Sequence, residues 1–100
     1  MFKKKHKYNI AVVGATGAVG RRMLTTLEER NFPVGQLSAL ASARSIGKKL
    51  PFKGGTIEVK QLTENSFVGV DFALFSAGSS ISKKYAPIAV ESGCVAIDNS

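Results

Sequence analysis

The sequence predicts an α/β protein built on a doubly wound, mostly parallel sheet with helices on both faces. Three observations predict it. Short β-rich apolar runs (Tyr8–Val13, Val70–Phe75, Cys94–Ile97) alternate with amphipathic helical stretches. The first two of these runs lack the polar alternation of a half-exposed strand and read as strands buried on both faces. The first run ends in a glycine-punctuated turn that opens a helix, Gly14-Ala-Thr-Gly-Ala-Val-Gly20.

The elements follow in order. Tyr8 to Val13 is a strand bounded by Gly14. From Gly17 to Arg30 the pattern turns helical: Val19, Met23, Leu24 and Leu27 share one face, and Arg22, Glu29 and Arg30 lie mostly elsewhere. Thr16 or Gly17 can serve its N-terminus, and Asn31 before Phe32-Pro33 can stop it. Leu37 to Ala41 is a second apolar strand. Ser42 to Gly55 is polar, basic and glycine-punctuated, so it reads as loop. Thr56 to Lys60 alternates as a half-buried strand does. The Val70–Phe75 strand ends at Ser76-Ala-Gly-Ser-Ser80. Ser82 can cap a helix that carries Tyr85, Ile88, Ala89 and Val90 and stops at Gly93, with Pro87 either kinking it or sitting in its first turn. Cys94 to Ile97 is the last strand.

One hundred residues with 44% hydrophobic content make one globular domain, residues 8–100, marginally stable by itself. The closing run of strand into loop suggests part of a longer protein. The net charge of +7 is concentrated in Lys3, Lys4, Lys5 and Lys7, so residues 1–7 read as a solvated, disordered basic tail that includes His6. No nucleic-acid-reading motif accompanies the charge. The basic start followed by Ile10–Gly20 resembles a signal peptide only superficially: Gly14, Thr16 and Gly17 break the apolar run, and Arg21-Arg22 and an amphipathic helix continue from it. No stretch reaches the ~20 apolar residues of a membrane span. Cys94 is the single cysteine, so no internal disulfide forms, and a cytoplasmic protein is expected.

Gly14, Gly17 and Gly20 are spaced G-x-x-G-x-x-G, with Thr16 where the usual dinucleotide fingerprint has its second glycine. The chemistry survives the change. Gly14 permits a sharp turn off the strand, Gly17 lets backbone approach a pyrophosphate, and Gly20 lets the helix pack close to the sheet. The free N–H groups and positive dipole end of the helix then face the anion, and Thr16 adds a hydroxyl. No Lys-Ser/Thr pair follows the glycines, so a Walker-type loop is excluded. A Rossmann-like fold binds ligands at the carboxyl ends of its strands, here Gly14, Ala41-Ser42 and Ser76-Ala77-Gly78.

A domain that prefers NAD places an acidic residue at the end of the second strand to accept from the ribose hydroxyls. No acidic residue occurs between Glu29 and Glu58. Arg44 can instead hold a 2′-phosphate, with Ser42 and Ser45 donating to it and Lys48 and Lys49 adding positive potential. NADP is therefore the expected cofactor. The small residues Ser76, Ala77 and Gly78 leave room for the inner ribose and nicotinamide.

Taken together, Gly14-Ala-Thr-Gly-Ala-Val-Gly20, Ala41-Ser-Ala-Arg-Ser-Ile-Gly47, Phe75-Ser-Ala-Gly-Ser79 and Asp98-Asn-Ser100 closely resemble the N-terminal part of bacterial aspartate-β-semialdehyde dehydrogenases, from Tyr8 to Ser100. The resemblance implies an NADP-binding portion of a homodimeric cytoplasmic enzyme of lysine, methionine and threonine biosynthesis. Such an enzyme reduces β-aspartyl phosphate with NADPH, reversibly, to the semialdehyde and phosphate. Carried over residue by residue, Thr16, Gly17, Ala18 and Val19 match the pyrophosphate loop. Arg44 and Ser45 match the 2′-phosphate and adenosine site, and Ser76, Ala77 and Gly78 the strand end near the nicotinamide. Asn99 falls in the segment leading to the active site.

The family's catalytic cysteine, histidine and arginines lie beyond Ser100, so the resemblance implies cofactor binding without turnover for these residues alone. Cys94, directly after Gly93 at the far end of its strand, reads as a small core residue. No metal site is expected. Two rivals remain: an N-acetylglutamyl-phosphate reductase, whose loop usually carries an aromatic residue where this chain has Ala18, and a non-catalytic nucleotide-binding module.

Overall fold

The computed structural model describes residues 7–98; the expected basic tail, apart from Lys7, and Asn99 lie outside the described residues. Six strands form one sheet: β1 (Tyr8–Val13), β2 (Val34–Ala41), β3 (Lys49–Phe52), β4 (Gly55–Gln61), β5 (Phe72–Phe75) and β6 (Val95–Asp98). Two helices, α1 (Ala18–Glu29) and α2 (Ser79–Glu91), connect β1 to β2 and β5 to β6. The order across the sheet is β3-β4-β2-β1-β5-β6, parallel throughout except for β3. The chain leaves β1 toward β2 and later returns to β1's other side as β5. Strand order therefore reverses between β1 and β5, the switch point where such sheets bind ligands.

The alternation of β1 builds two cores. Ile10 and Val12 join Leu24 of α1, Ala39, Leu50 and Val59 on one face. Ala11 and Val13 join Phe67, Ala73, Phe75 and Ala89 of α2 on the other. The helices thus cover opposite faces, and the first apolar run, β1, is a strand buried on both sides, whereas the last, β6, keeps Val95 and Ile97 exposed.

Both helices end the same way. After α1, Asn31 takes a positive φ of 52°, with its N–H on Glu28 and that of Phe32 on Leu27. After α2, Gly93 at φ 96° donates to Val90, and Cys94 to Ala89. Each is a Schellman closure that satisfies last-turn carbonyls.

The structure corrects the sequence reading in four places. The supposed loop 42–55 holds a turn of 3-10 helix (Ala43–Ser45) and the antiparallel edge strand β3. Lys53 and Gly54, both at positive φ, form the two-residue hairpin turn, and Glu28 of α1 accepts the Lys53 N–H at 2.7 Å. Pro51 is tolerated because β3 lies at the edge. Second, β2 begins at Val34, three residues before the apolar run. Third, α2 begins after Gly78, not at Ser82, which lies buried inside it, and Pro87 is in the helix body. Fourth, Val19 is not on the packed face of α1; it is 49% exposed at the helix start.

Candidate functional site

The site is built where β1 hands over to α1. Gly14 turns at φ 86°, its N–H and that of Ala15 donate to the Leu40 carbonyl at 2.8 and 3.2 Å, and Gly17 N–H closes back on Gly14 at 3.1 Å. Gly17 is the N-cap, with no side-chain cap bond, and the first intrahelical bond runs from Arg21 N–H to Gly17 at 3.0 Å. The N–H groups of Ala18 and Val19, both exposed, therefore have no helical acceptor. No acidic residue stands in this first turn to occupy them.

The three glycines are there for different reasons. A Cβ on Gly14 would meet Ala77 at 2.9 Å, and one on Gly20 would collide with the Gly14 carbonyl and reach Ala15 Cα at 2.8 Å. The fold itself excludes side chains at both. A Cβ on Gly17 would meet only the Gly14 oxygen, at 3.5 Å, an ordinary contact, and its φ of −77° suits any residue. Packing does not require glycine at Gly17. Its bareness suits a ligand that approaches the backbone from outside.

A cleft of about 440 Å³ opens beside this loop, along the carboxyl ends of four parallel strands. Val13, Gly14 and Thr16 line it from the β1 end, and Ala41, Ser42 and Ala43 from the β2 end. Gln61 ends β4 and Leu62 follows it, Ala77 follows β5, and Ile81 and Tyr85 of α2 close the far wall. Of the residues expected from sequence, Gly14, Thr16, Ser42 and Ala77 come together here. Gly17, Ala18 and Val19 adjoin Thr16 at the exposed helix start. Arg44 and Ser45 sit on the 3-10 turn that continues from β2 at the same sheet edge. Arg44 is exposed, and Ser42 makes no side-chain cap bond there. Gly78, at φ 103°, is the N-cap of α2. The Ser76 hydroxyl does not face an empty site: it donates to the carbonyls of Val13 at 2.9 Å and Gly14 at 3.4 Å.

Sequence reasoning missed Gln61, Leu62, Ile81 and Tyr85. The first two would have followed from reading 56–60 as a strand parallel to β2, whose carboxyl end must then face the cleft. The i, i+4 spacing of Ile81 and Tyr85 was a usable signal once the helix start was placed correctly.

Cys94 belongs to the other edge. It is buried, and its Sγ donates to the carbonyls of Val70 at 3.1 Å and Phe67 at 3.5 Å. Burial, and secondarily the charge of Asp71, push its thiol pKa up, the opposite of an activated nucleophile. Among the described residues no cluster of His, Cys, Asp or Glu could hold a metal ion, and no helix is long and apolar enough to cross a membrane.

A parallel sheet with a switch point, a glycine loop presenting bare N–H groups and a cleft across the strand ends define a dinucleotide-binding domain. Comparison with known proteins narrows the class. The family model described as "Semialdehyde dehydrogenase, NAD binding domain" matches residues 9–100, and the chain belongs to that family. It is 57% identical over 91 residues to the aspartate-semialdehyde dehydrogenase of Legionella pneumophila, covering 91% of this chain and 26% of that protein. The Aquifex aeolicus enzyme of the same name is 60% identical over 94 residues, covering 93% of this chain and 28% of that protein. Among solved structures, aspartate semialdehyde dehydrogenase II of Vibrio cholerae, complexed with ASA, superposes with a TM-score of 0.90 at 52% identity, covering 94% of this chain and 31% of that one. The chain thus spans about a quarter of the length of the curated relatives it matches.

Proposed function

We propose that this chain is the NADP-binding portion of an aspartate-β-semialdehyde dehydrogenase. The observation that carries the cofactor reading is the loop at Gly17, where the fold leaves a backbone bare for no packing reason beside the exposed Ala18 and Val19, whose N–H groups have no helical acceptor. Pyrophosphate oxygens fit that cradle as acceptors, with the helix dipole behind the donors and the Thr16 hydroxyl beside them. The guanidinium of Arg44 and the hydroxyls of Ser42 and Ser45 take the 2′-phosphate, in a stretch with no carboxylate to repel it. Ala77 and Gly78 border the inner ribose and nicotinamide without filling their space. When bound, the cofactor supplies a hydride to the reacting acyl group.

The family name and the Legionella, Aquifex and Vibrio relatives support the reaction: reversible NADPH-dependent reduction of β-aspartyl phosphate to the semialdehyde and phosphate. In this reading residues 8–100 form the cofactor domain of a cytoplasmic homodimer. The thiolate, the acid/base histidine and the substrate-binding arginines belong to the part of the enzyme beyond residue 100. Fluorescence titration of the chain tests the cofactor assignment. NADPH is expected to bind at least about tenfold more tightly than NADH, the scale of one charge-assisted contact. Equal affinities would overturn the choice of NADP. Phosphate- and semialdehyde-dependent reduction of NADP by the full-length protein tests the reaction, and its absence would leave a binding module.

A further inference from the structure

We propose that Ser76 is a positioning residue for the phosphate loop, acting through the Gly14 peptide and not by touching the cofactor. This deepens the cofactor reading above and rests on it. Val13 and Phe75 are register partners on β1 and β5, so Ser76 leaves its strand directly beside Gly14. Its backbone N–H continues the ladder to the Val13 carbonyl at 2.9 Å. Its hydroxyl, with one proton to give, donates to the same oxygen at 2.9 Å, with the Gly14 oxygen as a longer second acceptor at 3.4 Å.

The Gly14 carbonyl is the hub of the loop. It accepts the Gly17 N–H at 3.1 Å, and Gly20 packs so closely on it that no Cβ fits between them. A tilt of this peptide plane would disturb both the turn and the helix approach, and with them the aim of the Ala18 and Val19 N–H groups. From the β2 side the plane is fixed through its own N–H, that of Ala15, which donates to the Leu40 carbonyl at 3.2 Å. From the β5 side a side chain does the work, and that side chain is Ser76. The loop has no side-chain cap of its own to take over the task.

The test uses two ligands: NADPH, and 2′-phospho-ADP-ribose, which keeps the pyrophosphate and the phosphorylated ribose and lacks the nicotinamide. Loss of one aligning hydrogen bond in Ser76→Ala is expected to weaken both by the same factor, about fivefold, with the NADPH/NADH ratio unchanged. Ser76→Thr, which keeps a donor hydroxyl, should restore most of the affinity. Weaker NADPH binding with normal 2′-phospho-ADP-ribose binding would mean direct contact near the nicotinamide and would overturn the proposal. So would a lowered melting temperature with both affinities intact. If the unsubstituted chain binds neither ligand, the cofactor reading itself falls, and this inference with it.

Discussion

The two edges of the parallel sheet differ in how their polar groups are used around the first strand. At the amino edge they engage one another. Asn9 Nδ2 donates to the Gly69 carbonyl at 2.9 Å, Gln36 N–H donates to Asn9 Oδ1 at 3.0 Å, and Asn9 N–H donates to Asp71 at 2.7 Å. Tyr8, Phe32 and Phe72 pack edge-on or tilted beside them, with ring centres 5.4 to 6.3 Å apart. Cys94 is held by two carbonyls. At the carboxyl edge, the N-cap of α1 is a glycine with no side-chain cap bond, Ser42 makes no cap bond to its 3-10 turn, and a cleft lies beside them. Buried or half-buried polar groups in a stable fold are normally satisfied. The donors at the carboxyl edge lie on exposed residues beside the cleft, where an outside ligand can reach them, as the proposed cofactor reading requires.

If the division is real, substitutions at the two edges separate binding from stability. The largest expected effect is at Gly17. Gly17→Ala should keep the fold, since the added methyl meets nothing closer than 3.5 Å, yet weaken NADPH by tens to a hundredfold, or about 2–3 kcal/mol, as it crowds the pyrophosphate. Circular dichroism with fluorescence titration checks both halves. Next is Arg44→Glu, expected to lower the NADPH/NADH affinity ratio by about thirtyfold through loss of charge-assisted bonds and introduced repulsion. An unchanged ratio would move the 2′-phosphate elsewhere.

Asn9→Ala should do the reverse of Gly17→Ala. It removes two hydrogen bonds that tie β1 to its neighbours, destabilising by about 1–2 kcal/mol in chemical denaturation and leaving NADPH affinity unchanged.

The smallest effect is at Cys94. Its raised pKa favours the neutral thiol in the folded state, so its contribution to stability is whole below the ordinary thiol pKa and declines as pH rises from there through the higher folded value. Cys94→Ala should remove that part of the alkaline decline and leave cofactor affinity as it was.

Much of this could be read from the residues alone. The β1 run, the glycine loop and α1 carry strong local signals: an apolar strand, three glycines at fixed spacing and an amphipathic period. The conformations at Gly14 and Gly93 match what those positions require. What stayed hidden depends on pairing across the sheet. Leu50 is buried at 4% exposure because β4 and α1 flank it, yet its neighbours Lys48, Lys49, Pro51 and Lys53 look like a basic loop. Ser82 looks like a cap in sequence. In the fold Ser82 is buried inside the helix and its hydroxyl reaches Asp98 at 3.1 Å, while the helix starts one turn earlier at a glycine with positive φ. Val19 fits the apolar period of α1 but lies in its first turn, exposed beside the loop. Ser76 was legible as a small residue at a strand end. That its hydroxyl turns inward to Gly14 depends on the β1–β5 register, which no local pattern encodes.

The most direct measurement is the backbone amide spectrum of the isotopically labelled chain during titration with NADPH. The largest shifts are expected at Gly17, Ala18 and Val19, where the amide protons gain a phosphate acceptor, with smaller ones at Ser42 to Ser45 and none at Asn9, Gly69 or Cys94. Saturable binding that leaves the amides of residues 17–19 unmoved would show that the cradle is not where the dinucleotide sits.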